Sequence, residues 1–505
     1  MKSFLQIIAN LCVHLIDFFK NLFLVIIVFL KRFKKSIVLM NKTERILAVS
    51  FFICALVLLG LKAKDDFFER TVTVPASGGT YKEAVFGDFK YLNPLLSSTD
   101  AEKSTSKLVF SGLVKYDKNN NVIPDLAEKW EISPDNLKYT FYLRNDVMFH
   151  DGKKLTAEDV AYTVEKIKTP AFKSPLSNAW EDIDVTIDGN KVIFDLPRAY
   201  GPFIYNCDFG ILPSHLSDDE LNSKLIGAGP YKFVSTTTKN NKIAKLNLES
   251  NSLYFNGEPY IAKMEFDFFG NKDDAKLAFK DKETDAISGI DSSERNMTDL
   301  SFKTSKRLGL ILNLRNDKLK DKTVRQQILG AEKLPDKIEL SLSTLDSEIQ
   351  KSKAEELKKQ FAEKNIDLNV KYYNSVEMRE VLDSRDYELL LIGFDFGYDP
   401  DPYVFWHSSQ VEGMNFAGYG NKDSDILLED ARMLTDYAAR NEKYNKFFET
   451  IKNEALGVFY DPLSFFYQVK PEIKDATINC SEADYRFDGV EKWYIKTRRV
   501  KKTES

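Results

Sequence analysis

Residues 108–160, LVFSGLVKYDKNNNVIPDLAEKWEISPDNLKYTFYLRNDVMFHDGKKLTAEDV, decide the fold of this chain. Within this stretch, residues 137–143 alternate between apolar and polar or amphipathic side chains, and a period of two predicts a half-buried strand. Thr156 is followed three positions later by Asp159, a spacing that resembles a capping box and predicts the start of a helix. The stretch therefore predicts short elements of both kinds in close succession.

Turn residues separate these elements. DKNNN at 117–121 and SPDN at 133–136 place Asp and Asn where left-handed backbone and side-chain bonds to the main chain are favourable. Between the two turns, Pro124 and Asp125 are expected to open a short helix that runs through Trp130. Turns this close together predict a small subdomain, at about residues 108–182.

The same stretch resembles the start of the extracellular solute-binding proteins of family 5, which feed peptide and nickel ABC transporters. A pattern of this length is far more specific than a short motif. The matching residues are, in order, Gly112-Leu113, Pro124, Leu126-Ala127, Trp130, Ser133, Asp135, Tyr139-Thr140-Phe141, Leu143-Arg144 and the run from Phe149 to Val160.

The resemblance spans about residues 80–495. Residues 211–216, 227–233 and 254–260 follow the family order. GAGPY at 227–231 has a rival interpretation as a phosphate-binding loop, but Pro230 and an alternating strand follow it instead of a helix and a third glycine. The resemblance implies a two-lobed α/β fold of the periplasmic-binding-protein type, class II, with a solute held between the lobes.

Length and charge are consistent with this class. At 505 residues the chain predicts two or more domains. Residues 1–64 hold ten Lys and Arg against two Asp and Glu, a charge of +8, so the remaining 61 basic and 74 acidic residues give −13. A basic N-terminus before an acidic body favours attachment to a membrane over binding to nucleic acid.

An uncharged apolar run, ILAVSFFICALVLLGL at 46–61, predicts a transmembrane helix. Six Lys and Arg lie between residues 31 and 45, whereas Asp65 and Asp66 follow the run. This asymmetry predicts a single pass through the cell membrane, with the body on the extracellular or periplasmic side. A cleaved signal peptide is the alternative. LKAKDD is a poor cleavage site, and Cys54 lacks the context of a lipoprotein cysteine, so an uncleaved anchor is favoured.

Residues 1–30 carry a narrow polar stripe on an otherwise apolar helical pattern. They could form an interfacial helix, a second span, or an extension ahead of a true start at Met40. His14 within them is expected to be an interface residue and not a ligand.

The chain is expected to divide at a few positions. The predicted segments are 1–64 as a membrane-associated region, 65–80 as a tether, 81–305 with 460–495 as a first lobe, 306–459 as a second lobe, and 496–505 as a charged, disordered tail.

The second lobe has the pattern of a parallel sheet. Strands around 338–342, 368–372 and 387–394 alternate with helices around 354–362 and 376–382, and this βαβαβ order predicts right-handed crossovers. Residues 387–394 are nearly continuously apolar, as expected of a strand covered on both faces. The family element that normally follows 322–328 is missing here, so the crossover to the next strand is shorter. Because this crossover helps to wall the cleft in the family, the ligand size that the resemblance implies does not transfer directly to this chain.

Ligands bind such sheets beyond the carboxyl ends of the strands. That rule selects residues 395–407, where Asp395, Tyr398, Asp399 and Trp406 are candidate contacts. By the resemblance, an Asp here receives the α-ammonium of a peptide, and both carboxylates are candidates. Either Asp could instead be a solvated turn residue, and Trp406 could pack in a core. Asn93 lies in a first-lobe loop that, in the family, faces the cleft.

Neither a cofactor nor a resident metal is expected. The four histidines are dispersed, and His407 stands without a cluster of further ligands. No nucleophile elbow, HExxH or Walker loop is present, which argues against an enzyme. The four cysteines form no CxxC pair, and a disulfide between Cys207 and Cys480 is less expected than two free thiols.

The predicted function is capture without chemistry. A membrane-anchored extracellular protein would close its lobes over an oligopeptide or similar small solute and deliver it to the permease subunits of an ABC transporter. Nucleic acid is not an expected partner. The alternative is a degenerate binding protein that acts as a ligand sensor or a membrane-associated scaffold.

Overall fold

The computed structural model describes residues 41–239, 242–292, 294–478 and 481–502. Expectations for residues 1–30, for Met40 and for the partner thiol Cys480 lie outside the described residues. Cys207 is buried and Cys54 is exposed, and each is a free thiol. The described residues form two compact units, one that contains 41–74 and 497–502 and one that lies within 75–496.

The first unit is built on helix α1, Lys42–Arg70. Asn41 caps it, because the Asn41 side chain accepts from Glu44 N–H at 2.9 Å and Glu44 accepts from Asn41 N–H at 3.0 Å. The helix contains the predicted span, none of its residues is buried, and its most apolar 18 residues have a mean hydropathy of 2.5. By length and composition it is a candidate membrane segment.

The predicted tether and disordered tail are both wrong over much of their length. Residues 65–70 continue α1, and strand β1, Thr71–Ala76, follows at once. Strand β22, Lys496–Lys501, pairs with β1 in a two-stranded sheet. Each strand supplies the backbone partners that the other lacks, so the charged tail is ordered in spite of its composition.

The second unit contains a seven-stranded mixed sheet that forms the first lobe, in the order β13-β21-β12-β2-β11-β10-β9. Its central strand, β2, runs parallel to β11 and β12. The strands are β2 (Thr80–Phe86), β9 (Tyr231–Lys239), β10 (Lys242–Ser250), β11 (Lys263–Phe269), β12 (Ala286–Ser288), β13 (Thr298–Asp299) and β21 (Tyr467–Val469). Helices of this lobe are α2 (Asp100–Val109), α5 (Asp218–Lys224) and α6 (Lys272–Lys280).

A subdomain packs into the same hydrophobic core. It contains the pair β3 (Val114–Tyr116) and β4 (Val122–Pro124), and a four-stranded sheet in the order β5-β6-β8-β7. Its remaining elements are β5 (Ala127–Ile132), β6 (Lys138–Leu143), α3 (Ala157–Lys168), α4 (Ser177–Trp180), β7 (Asp184–Asp188) and β8 (Lys191–Asp195). Because β8 joins β6 to β7, the subdomain extends to Asp195, past the predicted limit of 182.

The helix predicted from Pro124 to Trp130 is wrong. Val122–Pro124 and Ala127–Ile132 are strands, and Trp130 lies opposite Phe141 on β6. Cross-strand pairing outweighed a local pattern of only seven residues. The capped helix is confirmed, since the Asp159 carboxylate accepts from Thr156 N–H at 2.8 Å.

The second lobe is a five-stranded sheet in the order β17-β16-β18-β15-β19. The predicted βαβαβ succession is confirmed, with β16 parallel to both β17 and β18. The elements are β15 (Arg307–Leu312), α7 (Lys322–Leu329), β16 (Ile338–Leu345), α8 (Glu348–Glu363), β17 (Ile366–Tyr373), α9 (Ser375–Ser384), β18 (Leu389–Phe394), α10 (Tyr403–Trp406), α11 (Lys422–Met433), α12 (Tyr437–Asn453) and β19 (Gly457–Phe459).

Both faces of this sheet are covered, which explains the apolar run in β18. Leu389 and Leu391 belong to one core, and Leu390 belongs to the core on the opposite face. Short 3-10 helices complete both lobes at Pro170–Phe172, Gly201–Asn206, Asp317–Leu319, Ser408–Gln410, Ala483–Tyr485 and Val490–Lys492.

The chain crosses between the lobes through two paired segments. Strand β14, Phe302–Lys303, leads into the second lobe, and β20, Ser464–Phe465, leads back. They run antiparallel, with Phe302 opposite Phe465. This crossing brings residues around 305 and 395 beside the first lobe.

Candidate functional site

A cavity of about 470 Å³ lies between the two lobes. The first lobe contributes residues of α2, the segment 205–210 and the segment 482–484, and the second lobe contributes Lys306 and residues 395–398. Residues 395–398 follow directly on β18, which ends at Phe394. They therefore lie beyond the carboxyl end of a strand, where the sequence predicted a site.

Acidic side chains outnumber basic ones around this cavity. The basic residues are Lys103, Lys107 and Lys306, and the acidic residues are Asp100, Asp208, Asp395, Glu482 and Asp484. With every group ionised, the wall carries two negative charges more than positive ones. The cavity therefore favours a ligand with a positive charge.

Lys107 is already neutralised by protein groups. Its Nζ lies 2.7 Å from Asp208 Oδ2 and 3.5 Å from Asp484 Oδ2, and 3.8 Å from the centre of the Tyr485 ring. Burial lowers the pKa of Lys107, but the two carboxylates outweigh that effect and the pKa is raised. Lys107 is a fixed cation that organises the acidic wall.

Lys306 links the lobes. Its Nζ lies 2.6 and 2.8 Å from the two carboxylate oxygens of Asp100, at the start of α2, and 3.9 Å from Asp395 Oδ2. Burial lowers its pKa, whereas Asp100, Asp395 and Glu482 together raise it above the ordinary value. A cationic ligand entering here would compete with Lys306 for these carboxylates.

Asp395 is the second-lobe carboxylate that faces the cavity. Its side chain is 53% exposed, and Oδ1 accepts from the Ser305 hydroxyl at 3.2 Å and from Gly397 N–H at 3.1 Å. Gly397 has a φ of +58°, a left-handed conformation that glycine adopts without strain. The turn thus holds Asp395 at the cavity while leaving Oδ2 turned toward Lys306.

Tyr398 closes one side of the cavity by contacting the first lobe. Its ring stacks on that of Tyr116 with 3.7 Å between centroids, and its hydroxyl donates to Asp484 at 3.1 Å. Both partners belong to the first lobe, so Tyr398 forms a contact that requires the lobes to be together.

Asp399 lies in the interior of the second lobe. Arg440 Nε donates to its Oδ2 at 2.6 Å, and the side chains are 4% and 1% exposed. Burial raises the pKa of Asp399 and Arg440 opposes that effect, with a net increase. Asp399 is held in this pair and does not line the cavity, so Asp395 is the better-placed of the two predicted carboxylates.

Two further predicted contacts, Trp406 and Asn93, do not line the cavity. Trp406 is 2% exposed and packs against Phe447 and Phe459 in the second-lobe core. Asn93 is 4% exposed and its Oδ1 accepts from Leu95 N–H at 3.0 Å. Its neighbour Pro94 lines the cavity instead.

Sequence reasoning missed the first-lobe half of the wall. Asp100, Lys107 and Asp208 lie in segments without a recognisable motif, and Glu482 and Asp484 lie more than 70 residues after the predicted loop. The sole local signal is the acidic pattern of SEADYRFD at 481–488, and such a pattern is more often a solvated surface.

Glu482 has an unusual environment. It is 5% exposed, and its Oε1 accepts from Ser305 N–H at 3.1 Å. Burial, with smaller contributions from Asp395 and Asp484, raises its pKa to about 7 in spite of the hydrogen bonds from Ser305. The negative charge of the cavity therefore changes near neutral pH.

A second cavity of about 820 Å³ adjoins the same turn in the second lobe. Phe396, Gly397 and Tyr398 line both cavities. The wall of the second cavity is mixed, with Phe448 and Phe459 among its apolar residues, and its charged residues are Arg307 and Lys452. Among the described residues, the half-exposed Arg307 guanidinium has no hydrogen-bonding or ionic partner.

Two α/β lobes joined by paired crossing segments, with a charged cavity between them, define a protein of the two-lobed solute-binding class. Residues 121–331 match the model of the bacterial extracellular solute-binding proteins, family 5 Middle. This match confirms the family resemblance over that part of the chain.

Similarity to individual proteins extends over most of the chain. The oligopeptide-binding protein AppA of Bacillus subtilis is 24% identical over 521 residues, which cover 86% of this chain and 93% of AppA. The ABC transporter substrate-binding protein CtaP of Listeria monocytogenes matches with a TM-score of 0.72 and 25% identity, over 83% of this chain and 100% of CtaP. NikZ of Campylobacter jejuni, solved with Ni(L-His), matches with a TM-score of 0.66 and 25% identity, over 82% of this chain and 99% of NikZ.

Proposed function

We propose that this protein captures oligopeptides between its two lobes and delivers them to the permease of an ABC transporter. The acidic cavity between the lobes is the observation that carries the proposal. The binding step is a hinge equilibrium that the ligand biases toward the closed state, because only the closed lobes offer both walls at once.

The arrangement of charge suits one end of a peptide. Asp395 lies half-exposed on the second-lobe wall, and Glu482 and Asp484 lie on the first-lobe wall. An α-ammonium placed between them would make charge-assisted hydrogen bonds to both lobes. Such a ligand stabilises closure directly, since its positive charge reduces the repulsion between these carboxylates.

The adjoining cavity suits the rest of a bound peptide. Arg307 is a cation without a protein partner among the described residues, and Phe448 and Phe459 offer apolar surface beside it. A peptide that runs past the Phe396–Tyr398 turn would place an apolar side chain there and a carboxylate near Arg307. A zwitterionic chain thus matches the opposite charges of the two cavities.

The proposed location is the outer face of the cell membrane. Helix α1 would be an uncleaved single-pass anchor, and its 29 residues span roughly 43 Å, more than the hydrocarbon core requires. An anchored receptor stays close to its permease without free diffusion. The permease subunits are the proposed protein partner.

Replacing Asp395 with Asn is expected to weaken the binding of peptides with a free amino terminus by roughly tenfold or more. The reason is that a hydrogen bond to a charged partner contributes about 1.5–3 kcal/mol. Titration calorimetry with a mixed peptide library, then with the strongest binders, measures the effect. Peptides acetylated at the amino terminus should bind the parent and the variant equally.

Asp383→Asn is the matched control, because Asp383 is an exposed carboxylate on α9, outside both cavities. Equal affinity of Asp395→Asn and Asp383→Asn for free peptides would remove Asp395 from the site. A folded parent protein that binds no peptide at all would contradict peptide capture, and would favour the sensor or scaffold role.

The titration of Glu482 is expected to make stability depend on pH. The pKa of Glu482 is about 7 in the folded protein, above the ordinary 4.5, so the folded state favours the protonated carboxyl group. The resulting contribution to the free energy of unfolding is fully present below pH 4.5 and is lost as pH rises through 7. About 2.5 pKa units at about 1.36 kcal/mol each give a loss of roughly 3 kcal/mol. Urea denaturation at pH 4.5–8, compared with Glu482→Gln, measures this difference.

Peptide affinity should rise with pH, whereas the free energy of unfolding falls. A cationic ligand end favours ionised Glu482, so the affinity of the parent should rise between pH 6 and 8, with release of a proton on binding. In Glu482→Gln both pH effects should be absent. A stability difference between parent and variant that stays constant across this range would contradict the assigned titration.

A further inference from the structure

The C-terminal strand concentrates positive charge beside the helix proposed as the anchor. Residues 497–502, TRRVKK, contain four cations and no acid. The strand pairs with β1, which follows α1 without an intervening loop. In addition, Lys502 N–H donates to the Arg70 carbonyl at 3.0 Å, so the cations are attached to the end of α1.

Exposed aromatic side chains mark the level of this sheet along α1. Phe67 is 52% exposed and Phe68 is 47% exposed, six and seven residues beyond the apolar run that ends at Leu61. Seven residues of helix rise about 10 Å. The 16 residues of the apolar run rise only about 24 Å, so about 3 Å of the roughly 30 Å hydrocarbon core extends beyond each end of a centred run, and a polar layer of about 5–8 Å follows. Phe67 and Phe68 therefore stand at headgroup level if residues 46–61 cross the membrane.

Arg499 fixes the strand at that level. Its Nη2 donates to the Phe68 carbonyl at 3.2 Å and to the Thr71 carbonyl at 3.0 Å, and its Nε donates to Thr71 Oγ1 at 2.8 Å. Its guanidinium carbon lies 4.1 Å from the centre of the Phe68 ring. Arg499 thus joins the strand to the end of α1, while Arg498, Lys501 and the adjoining Lys502 are exposed.

We infer that this strand binds the headgroups of anionic phospholipids in the outer leaflet. The inference rests on the membrane attachment proposed for α1. Three exposed cations held within a few ångströms of the phosphate layer lie inside the Debye length of about 8–10 Å, where attraction to an anionic surface is strong. The strand would then serve as a second point of attachment, which ties the C-terminus of the chain to the bilayer.

The test uses the full chain in nanodiscs of phosphatidylcholine alone or with about 30% phosphatidylglycerol. Hydrogen–deuterium exchange of residues 71–76 and 497–502 is the measurement. We expect at least fivefold slower exchange in the anionic discs, with the difference abolished in 1 M salt. In the triple variant Arg498→Gln, Lys501→Gln, Lys502→Gln the difference should disappear.

The control variant is Lys333→Gln, Lys358→Gln, Lys359→Gln, which removes three exposed cations from the second lobe and should behave as the parent. Equal exchange in both lipids for a chain that does insert would overturn the headgroup inference alone. A chain that fails to enter either disc would overturn both this inference and the anchor. Peptide affinity, measured by calorimetry on the same samples, should be the same in the parent and the triple variant.

Discussion

Asp399→Asn is expected to lower the free energy of unfolding by about 3–5 kcal/mol, because it leaves the buried Arg440 without its anion. Arg440 is 1% exposed, and besides Asp399 it donates to the Leu434 carbonyl at 2.7 Å. One carbonyl cannot replace a carboxylate as the partner of a buried guanidinium. Urea denaturation of the parent and the variant at pH 7 measures the loss.

The control for this prediction is Asp395→Asn, four residues earlier in the same loop. The Asp395 side chain is 53% exposed, so its replacement should change stability by less than about 0.5 kcal/mol. The double variant Asp399→Asn, Arg440→Met should recover most of the loss, since an apolar residue replaces the unpaired charge. A stable Asp399→Asn variant with weakened peptide binding would instead return Asp399 to the list of ligand contacts.

Arg486→Met is expected to have an effect of similar size in the first lobe. Arg486 Nη2 donates to Glu83 Oε1 at 2.9 Å, and the side chains are 1% and 0% exposed. Without Arg486, the buried Glu83 carboxylate would lose its cationic partner and keep neutral hydroxyl donors, among them Tyr81 and Ser288, each at 2.5 Å. We expect a loss of about 3–5 kcal/mol in denaturant unfolding.

The same substitution should also weaken peptide binding. Arg486 attaches the segment that carries Glu482 and Asp484 to β2 and, through the Ser104 hydroxyl, to α2. Displacement of that segment moves the first-lobe carboxylates of the cavity. Arg379→Met, an exposed arginine on α9, is the control for loss of an arginine. Equal stability of these two variants would show that the buried pair contributes nothing.

Local patterns were sufficient for much of the fold. The hairpin of β7 and β8 has Val185 opposite Phe194 and Ile187 opposite Val192, as the alternation around Asp188-Gly189-Asn190 predicts. The βαβαβ unit of the second lobe also follows from periodicity. In each case the elements are long enough for the period of apolar residues to be distinct.

Failures of prediction share one physical cause. Residues 124–130 and 496–501 have compositions that suggest a helix and a disordered tail, yet both regions form paired strands, β4 and β5 with the neighbouring β3 and β6, and β22 with a distant partner. For β22, the partner β1 lies more than 400 residues earlier. No local pattern contains the position of a distant partner, and backbone pairing is largely independent of side-chain charge.

In the candidate site too, local sequence could not decide the role of single residues. Asp395 and Asp399 lie four positions apart in one acidic and aromatic loop, and no local feature distinguishes them. The difference is made by Arg440, which α12 brings against Asp399, and by the crossing at Ser305, which brings Asp395 beside the first lobe.

The sequence by itself carried the family resemblance, through the order of turns and elements in residues 108–160, and it indicated the loop at the end of β18, which lines the cavity. Only the tertiary structure decided which carboxylate of that loop lines the cavity, and that Glu482 and Asp484 lie on its opposite wall. The physical reason is that a residue's burial, charge partners and pKa depend on neighbours that folding brings from distant parts of the chain. The family resemblance could be recognised from one stretch because it depends on the order of neighbouring turns, strands and helices along the chain.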